Sequence, residues 1–273
     1  MPLITLPGVY APQQDSALLV AALRQEVFTT DTTVLEVGCG TGAVSLAAAL
    51  HGAGRVTAVD LCRRAVASAR LNARLWGVED RVSVRRGDLA DAAAGQRFDV
   101  LLANPPYVPT PPGSRTRGRA RAWDAGPDGR VHVDGICSRA PDLLAPGGVL
   151  LMVHSALTGT ERTLQQLDDM GMAATVTRRR TIAFGPVLRG RACWLAAQGL
   201  ITEGQTTEEI VVVRAVAPRR SGQRRAPGTG RPGTATGASP DRRPASAGPL
   251  GPGAGPGPVG HTGPAGVDAP LPT

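Results

Sequence analysis

Short apolar runs alternate with segments of helical periodicity between residues 32 and 216. Strand-like runs are predicted at 34–37, 56–59, 81–85, 98–103, 148–154, 175–181 and 210–216. Helical spacing is found at 45–50, 63–76 and 160–170, and 185–200 is predicted to be a partly helical insertion. Strands that alternate with helices are typical of βαβ units, so a doubly wound α/β domain with a mostly parallel sheet is predicted.

The pattern divides the chain into three parts. Residues 1–30 are predicted to be a short lead-in that contributes to the functional site, and residues 31–217 a single α/β domain. Gly and Pro make up 25 of the 56 residues of the remaining segment, 218–273. Such a composition cannot bury a core, so a disordered tail is predicted.

Composition narrows the possible functions. All 30 basic residues are Arg, so neither Schiff-base chemistry on a lysine nor a lysine general base is available. The tail holds five of the eight net positive charges, so nucleic-acid binding by the domain is not favoured. The four cysteines are scattered and argue against a metal site. No 18-residue apolar run or signal peptide is found, so a cytoplasmic protein without a membrane partner is expected.

A glycine-rich turn follows the first predicted strand. Gly38, Gly40 and Gly42 lie where an open α/β sheet binds ligands, because backbone can approach the ligand closely there. Carboxylates lie at the carboxyl ends of the first three strands: Glu36 could reach the amino group of a zwitterionic ligand, and Asp60 could accept hydrogen bonds from ribose hydroxyls. Further along, Asp88 could accept from an adenine amine and the Leu89 backbone N–H could donate to the base. Taken singly, each carboxylate could also be a helix cap or a solvated strand end.

A second motif, Asn104-Pro105-Pro106-Tyr107, directly follows the fourth strand. Asn offers a carbonyl acceptor, the prolines rigidify the turn and remove two donors, and Tyr provides a flat ring. This combination could hold a planar NH2 group; an ordinary strand-ending turn is the alternative. His51, His132 and His154 are interpreted as loop or surface residues.

Together these motifs resemble the class I S-adenosylmethionine-dependent methyltransferases. The stretches 9–16, 104–112, Trp123 and 126–130 narrow the resemblance to the HemK-related protein glutamine methyltransferases, and within them to the short single-domain branch. The resemblance covers about residues 8 to 216. It implies a Rossmann-like fold of seven strands, mostly parallel with the last strand antiparallel, and methyl transfer to a side-chain amide nitrogen.

The resemblance also implies roles for individual residues. S-adenosyl-L-methionine would be the cofactor. Catalytic roles would fall on Asn104 and the Pro105 carbonyl, as hydrogen-bond acceptors for the substrate NH2, and on Tyr107, beside the amide plane. The residues implied to line the cofactor pocket are Ser16, Glu36, Gly38, Gly40, Asp60, Asp88, Leu89 and Asn104.

Three functions remain open from the sequence. The leading one is glutamine methylation of a protein such as a peptide-chain release factor, with a small activator subunit as a second partner implied by the resemblance. The alternatives are an amino-methyltransferase that acts on adenine or guanine in nucleic acid, and a catalytically silent binding protein with a methyltransferase fold. The domain before the tail carries little net charge, which disfavours nucleic acid.

Overall fold

The computed structural model describes residues 2–89, 95–114 and 118–219. They contain one seven-stranded sheet in the order β3-β2-β1-β4-β5-β7-β6. The strands are β1 (Thr33–Val37), β2 (Arg55–Asp60), β3 (Val82–Arg86), β4 (Phe98–Ala103), β5 (Leu144–Ser155), β6 (Ala173–Ala183) and β7 (Thr207–Val216). β7 runs antiparallel to both neighbours, β5 and β6, while β1 to β5 pair in parallel. The doubly wound fold with an antiparallel last strand is therefore confirmed.

Helices cover both faces of this sheet. They are α1 (Gln14–Leu23), α2 (Ala43–Leu50), α3 (Arg63–Leu75), α4 (Val131–Leu143), α5 (Thr160–Asp169) and α6 (Pro186–Ala197). Among the described residues, none of these helices has both the length and the apolar character that crossing a bilayer requires.

The core has two layers because successive strand residues point to opposite faces. Leu102 of β4 packs into the cluster beneath α1, α2 and α3, and its neighbour Leu101 packs into the cluster beneath α4 and α5. Both residues are fully buried. The apolar runs that predicted the strands thus supply both layers of the core.

Two helices have no counterpart in the predicted pattern. α1 lies in the segment expected to be only a lead-in, and it buries Leu18, Leu19 and Leu23. α4 contains Gly135 and Pro141, which have low helix propensity, so the sequence pattern did not predict this helix. Residues 220–273, which make up nearly all of the expected disordered tail, lie outside the described residues.

The fifth strand also departs from the prediction. The turn Ala145-Pro146-Gly147 was expected to precede the strand, but β5 begins at Leu144 and contains the turn. The register against β4 shifts between the pairs Phe98–Leu144 and Val100–Val149. Gly147 adopts a φ of 80°, so the turn forms an irregularity within the strand instead of ending it.

A buried arginine fastens the second half of the fold together. Arg130, at the start of α4, is 1% exposed. Its guanidinium donates to Asp134 Oδ1 at 2.6 and 2.9 Å, to the Thr158 carbonyl at 2.7 Å and to Thr163 Oγ1 at 3.0 Å. One side chain thereby joins α4 to the turn after β5 and to α5.

We expect Arg130→Gln to lower the free energy of unfolding by about 3 kcal/mol, because the buried Thr158 carbonyl and the half-buried Asp134 carboxylate lose their donors. Arg162→Gln is the matched control, since Arg162 also bonds Asp134 but its side chain is 60% exposed. Its loss should stay below about 1 kcal/mol. Urea denaturation of the two variants measures the difference. Equal losses would show that Arg130 does not fasten these elements.

Candidate active site

The carboxyl ends of the parallel strands meet at one edge of the sheet. At this edge Gly38 and Cys39 donate from their backbones to the Val59 carbonyl at 2.9 and 3.1 Å. Gly38 and Gly40 have φ values of 71° and 54°, which side chains rarely adopt. A Cβ on Gly38 would meet nothing within 4 Å, so the face of this turn is open to a ligand.

Asp60, at the end of β2, shapes the same turn. Its Oδ2 accepts from the Gly40 N–H at 2.9 Å and its Oδ1 accepts from the Cys62 N–H at 2.8 Å. Partial burial raises the pKa of the Asp60 carboxyl, while the two N–H bonds oppose the rise. Each carboxylate oxygen retains acceptor capacity, so Asp60 could also bind hydroxyl groups of a ligand at the turn.

Glu36 is buried at 2% exposure and contacts the helix that follows the turn. Its Oε2 accepts from the Ser45 N–H at 2.7 Å and also from the Ser45 hydroxyl. Burial raises the pKa of Glu36 to about 7, although the two Ser45 bonds lower it. Glu36 thus joins β1 to the first turn of α2, which is the helix-capping role that the sequence left open as an alternative.

The residues after β3 lie at the same edge of the sheet. The Gly87 N–H donates to the Asp60 carbonyl at 3.2 Å, so the turn before Asp88 is fixed to the end of β2. Asp88 is exposed and Leu89 is half-buried. The predicted cofactor residues after β1, β2 and β3 are therefore brought together.

Asn104 follows β4 and faces the lead-in segment. Its Nδ2 donates to Ser16 Oγ at 3.3 Å, which leaves its carbonyl oxygen to accept from another group. Pro105 is buried, whereas Asn104 and Tyr107 are half-buried. The predicted acceptor residues and Ser16 thus lie in one site, beside the glycine turn.

Asp15 organises this site, although sequence reasoning assigned it no role. Its Oδ2 accepts from the Tyr10 hydroxyl at 2.9 Å and from the Tyr107 hydroxyl at 3.3 Å. Its Oδ1 accepts from the Ser16 N–H at 2.6 Å and the Ser16 hydroxyl at 3.3 Å. The signal was present, since residues 9–16 carried part of the family resemblance. Only Ser16 was assigned from them.

The two ends of the long loop after Tyr107 are hydrogen-bonded to each other. The Val108 N–H donates to the Trp123 carbonyl at 2.8 Å, and the Thr110 N–H donates to the Gly126 carbonyl at 2.8 Å. Arg191 of α6 donates to the Pro109 carbonyl at 2.8 Å and to Asp124 Oδ1 at 2.6 Å. The base of this long loop is therefore held beside the acceptor residues.

An apolar cluster supports the loop base from the side of α6. Val108 packs there with Phe184, Leu188 and Leu195, and Trp123 lies against the cluster. The insertion between β6 and β7 thus forms one wall beside Tyr107. Its contribution was missed because its partners lie about 80 residues away along the chain.

The histidine prediction is wrong for His154. It lies on β5 with no exposed surface, and burial lowers its pKa to about 4. Its Nδ1 lies 3.0 Å from Thr158 Oγ1, on the face of the sheet that packs against α4. The apolar run that predicted the strand included His154, and a neutral imidazole is tolerated inside it.

Comparison with known proteins identifies the relatives of the chain. Residues 1–114 match the family model described as the methyltransferase small domain. A protein of Methanocaldococcus jannaschii, provisionally named a protein N5-glutamine methyltransferase, is 37% identical over 65% of this chain and 88% of its own length. The release factor glutamine methyltransferase of Moorella thermoacetica is 33% identical over 70% of this chain and 68% of its own.

Solved structures share the fold at low sequence identity. The precorrin 8W decarboxylase of Methanobacterium thermoautotrophicum superposes with a TM-score of 0.51 at 21% identity, over 77% of this chain and 95% of its own. The 16S rRNA N2 G1207 methyltransferase of T. thermophilus superposes with a TM-score of 0.51 at 20% identity, over 78% and 46%. These likenesses establish the architecture alone.

We expect Gly129→Ala to destabilise the protein by about 3 kcal/mol, because its added Cβ would lie 2.5 Å from the Tyr107 carbonyl oxygen. Gly113→Ala is the control: its φ of 76° matches the 72° of Gly129, but nothing lies within 4 Å. Backbone strain alone should cost about 1 kcal/mol there. Unfolding in urea compares the variants, and equal losses would exclude close packing of Gly129 against the tetrapeptide.

The raised pKa of Glu36 predicts a pH-dependent stability difference. The stability that the protonated carboxyl contributes is present below the ordinary pKa of 4.5 and is lost as the pH rises through about 7. Glu36→Gln cannot ionise, so its stability relative to the parent should increase across this window, by on the order of 2–3 kcal/mol. Urea unfolding of both proteins at several pH values measures it. A difference that does not change with pH would contradict the raised pKa.

Proposed function

The chain belongs to the protein glutamine methyltransferase family, and we propose that it methylates the side-chain amide nitrogen of a glutamine in a peptide-chain release factor, with S-adenosylmethionine as the methyl donor. The observation that carries this proposal is the Asn104–Ser16 hydrogen bond of 3.3 Å, which turns the Asn104 carbonyl oxygen away from the amino-terminal helix. That oxygen is then free to receive an N–H of the acceptor.

The residues around the glycine turn fit the proposed donor. The open face at Gly38 offers room for a ligand against backbone. Asp60, whose carboxylate is already oriented by two backbone N–H groups, would accept from ribose hydroxyls. When bound, S-adenosylmethionine supplies a methyl group carried on a positively charged sulfur.

The amide nitrogen is a poor nucleophile, because its lone pair is delocalised into the carbonyl, and the acceptor residues would compensate by orienting it. Two acceptors, the Asn104 side-chain oxygen and the Pro105 carbonyl, would bind the two N–H groups and fix the plane of the amide. Tyr107, held by Asp15, would lie against that plane. Positioning of this kind contributes roughly 7–11 kcal/mol to lowering a barrier. No cationic side chain or strong base is required by this arrangement.

Two further features favour a protein acceptor over a nucleic acid. The relatives from Methanocaldococcus jannaschii and Moorella thermoacetica are both named for glutamine methylation, and the second is named for release factors. The chain before residue 218 also carries only three of the eight net positive charges. Nucleic-acid binding depends strongly on neutralising phosphates, and this domain offers little charge for that.

We expect Asn104→Ala to lower kcat by roughly a hundredfold or more, because the amide is no longer oriented. Thermal stabilisation by S-adenosylmethionine should change much less. Asp60→Ala is the complementary variant: it should lose most of that stabilisation, which is about 2.7 kcal/mol at a hundredfold excess over Kd for the parent. Methyl transfer to an unmethylated release factor and thermal shifts measure the two effects.

The nature of the labelled product tests the proposed acceptor. With methyl-labelled S-adenosylmethionine and an extract of a methylation-deficient cell, label should be released by protease and resist nuclease. It should also disappear with Asn104→Ala. Nuclease-sensitive label would identify a nucleic-acid amino group as the acceptor, and label independent of Asn104 would refute the assigned role.

A further inference from the structure

A buried carboxyl group without a full set of partners lies near the proposed acceptor residues. Glu208, at the second position of β7, is 6% exposed. Among the described residues, its Oε2 has no hydrogen-bond partner. Since a buried carboxylate oxygen without a donor is costly, a retained one requires an explanation.

The position of Glu208 links it to the active edge of the sheet. β7 begins beside the carboxyl end of β5, where Ser155 pairs with Ile210. Ile210 belongs to the core cluster beneath α1. Because strand residues two apart share a face, Glu208 also faces α1. That helix carries Asp15, which holds Tyr107.

The groups that act on Glu208 come from four neighbouring segments, while on β6 its paired residue is the apolar Ile182. Asp15 lies on α1, Tyr10 precedes that helix, Tyr107 follows β4 and Ser155 ends β5; Glu208 interacts electrostatically with both tyrosines. Burial raises the pKa of Glu208 to about 7; the Ser155 hydroxyl lowers it and the Asp15 carboxylate raises it. These neighbours are a carboxylate, two phenols and a hydroxyl, so none of them is a counter-charge.

The adjacent glutamate shows the contrast. Glu209 is half-buried and pairs with Arg179 at 2.7 Å across β6 and β7. It is an ordinary ion-paired residue on the more exposed face of β7. Glu208, one residue earlier and on the opposite face, has a free oxygen and lies in the cluster that positions the acceptor residues.

Building on the proposed function, we infer that Glu208 is a specificity-determining residue of the acceptor site, whose free oxygen accepts a hydrogen bond from a backbone N–H of the acceptor chain next to the target glutamine. A peptide N–H suits this position because the free oxygen of Glu208 needs one hydrogen-bond donor. The groups around it are mostly acceptors, so an uncharged N–H supplies what they lack. Tyr10 is part-exposed and joined to Asp15 by one hydrogen bond. The side chain of Tyr10, which interacts electrostatically with Glu208, therefore has to move when the acceptor chain binds.

The test compares Glu208→Gln with Glu209→Gln, using a purified unmethylated release factor as the acceptor. Glu208→Gln has the same shape but a weaker acceptor, so its KM for the release factor should rise roughly tenfold. Its kcat and its stabilisation by S-adenosylmethionine should stay within about twofold of the parent. Glu209→Gln should match the parent in all three.

The pH dependence separates recognition from a structural role. Because the ionised carboxylate is the stronger acceptor, the parent KM should fall as the pH rises through about 7, and the Glu208→Gln KM should not. Glu208→Asp keeps the charge but has a side chain shorter by one methylene. Its KM for the release factor should rise and should still depend on pH. This variant replaces Glu208→Gln in the test if the Gln variant folds poorly.

Substitutions in the release factor identify the backbone N–H that donates to Glu208. Proline has no backbone N–H, so release factors with Pro on either side of the target glutamine are compared with the corresponding Ala variants. On one side, Pro should raise the parent KM about tenfold and leave the KM of Glu208→Gln unchanged. Equal effects of Pro on both enzymes would overturn the inference. So would a KM of Glu208→Gln for the unsubstituted release factor that equals the KM of the parent. An unlabelled release factor with the parent enzyme would instead refute the proposed function.

Discussion

One carboxylate, that of Asp15, connects the parts of this site. Its two oxygens receive the hydroxyls of Tyr10 and Tyr107 and both donors of Ser16, and Ser16 in turn receives the Asn104 amide. Hydrogen bonds to a charged acceptor are about twice as strong as neutral ones and are directional. The amino-terminal helix is therefore part of the proposed active site, since it orients the tetrapeptide after β4.

A second set of contacts gives this network a firm support. The loop after the tetrapeptide closes on itself through backbone bonds, and Arg191 ties its base to α6. Gly129 packs against the Tyr107 carbonyl, and Arg130 secures the following helix. Parts of the chain that are remote in sequence thus restrict the same four residues. Restriction of this kind is what a reaction that depends on orienting an amide requires.

Charge is distributed unevenly across the site. The side proposed to bind the methyl donor has Glu36 and Asp60, and each of their carboxylates accepts hydrogen bonds from N–H groups. The side proposed to bind the methyl acceptor has Asp15, whose two oxygens both accept hydrogen bonds, and Glu208, whose Oε2 accepts none among the described residues. A site with several carbonyl and carboxylate oxygens recognises N–H groups. This preference agrees with an amide acceptor and gives Glu208 a role in choosing the chain that carries it.

The sheet, the glycine turn and the tetrapeptide could be predicted because each depends on local pattern: alternating apolar runs, positive φ at glycines and a rigid turn after a strand. Local pattern did not reveal Asp15, since its partner Tyr107 lies 92 residues away, and only the family resemblance of residues 9–16 carried a signal for it. α4 was hidden by its internal Gly and Pro, and His154 was misplaced because its burial depends on packing between layers. Glu208 and Glu209 are adjacent residues of the same type, and they differ only in the face of β7 that they occupy.

Methylation of a glutamine amide is tested most directly by tandem mass spectrometry of an unmethylated release factor after incubation with the enzyme and S-adenosylmethionine. A single added methyl group is expected on the side-chain amide of one glutamine. A release factor that stays unmodified, while a nucleic-acid base gains the methyl group, would contradict this function.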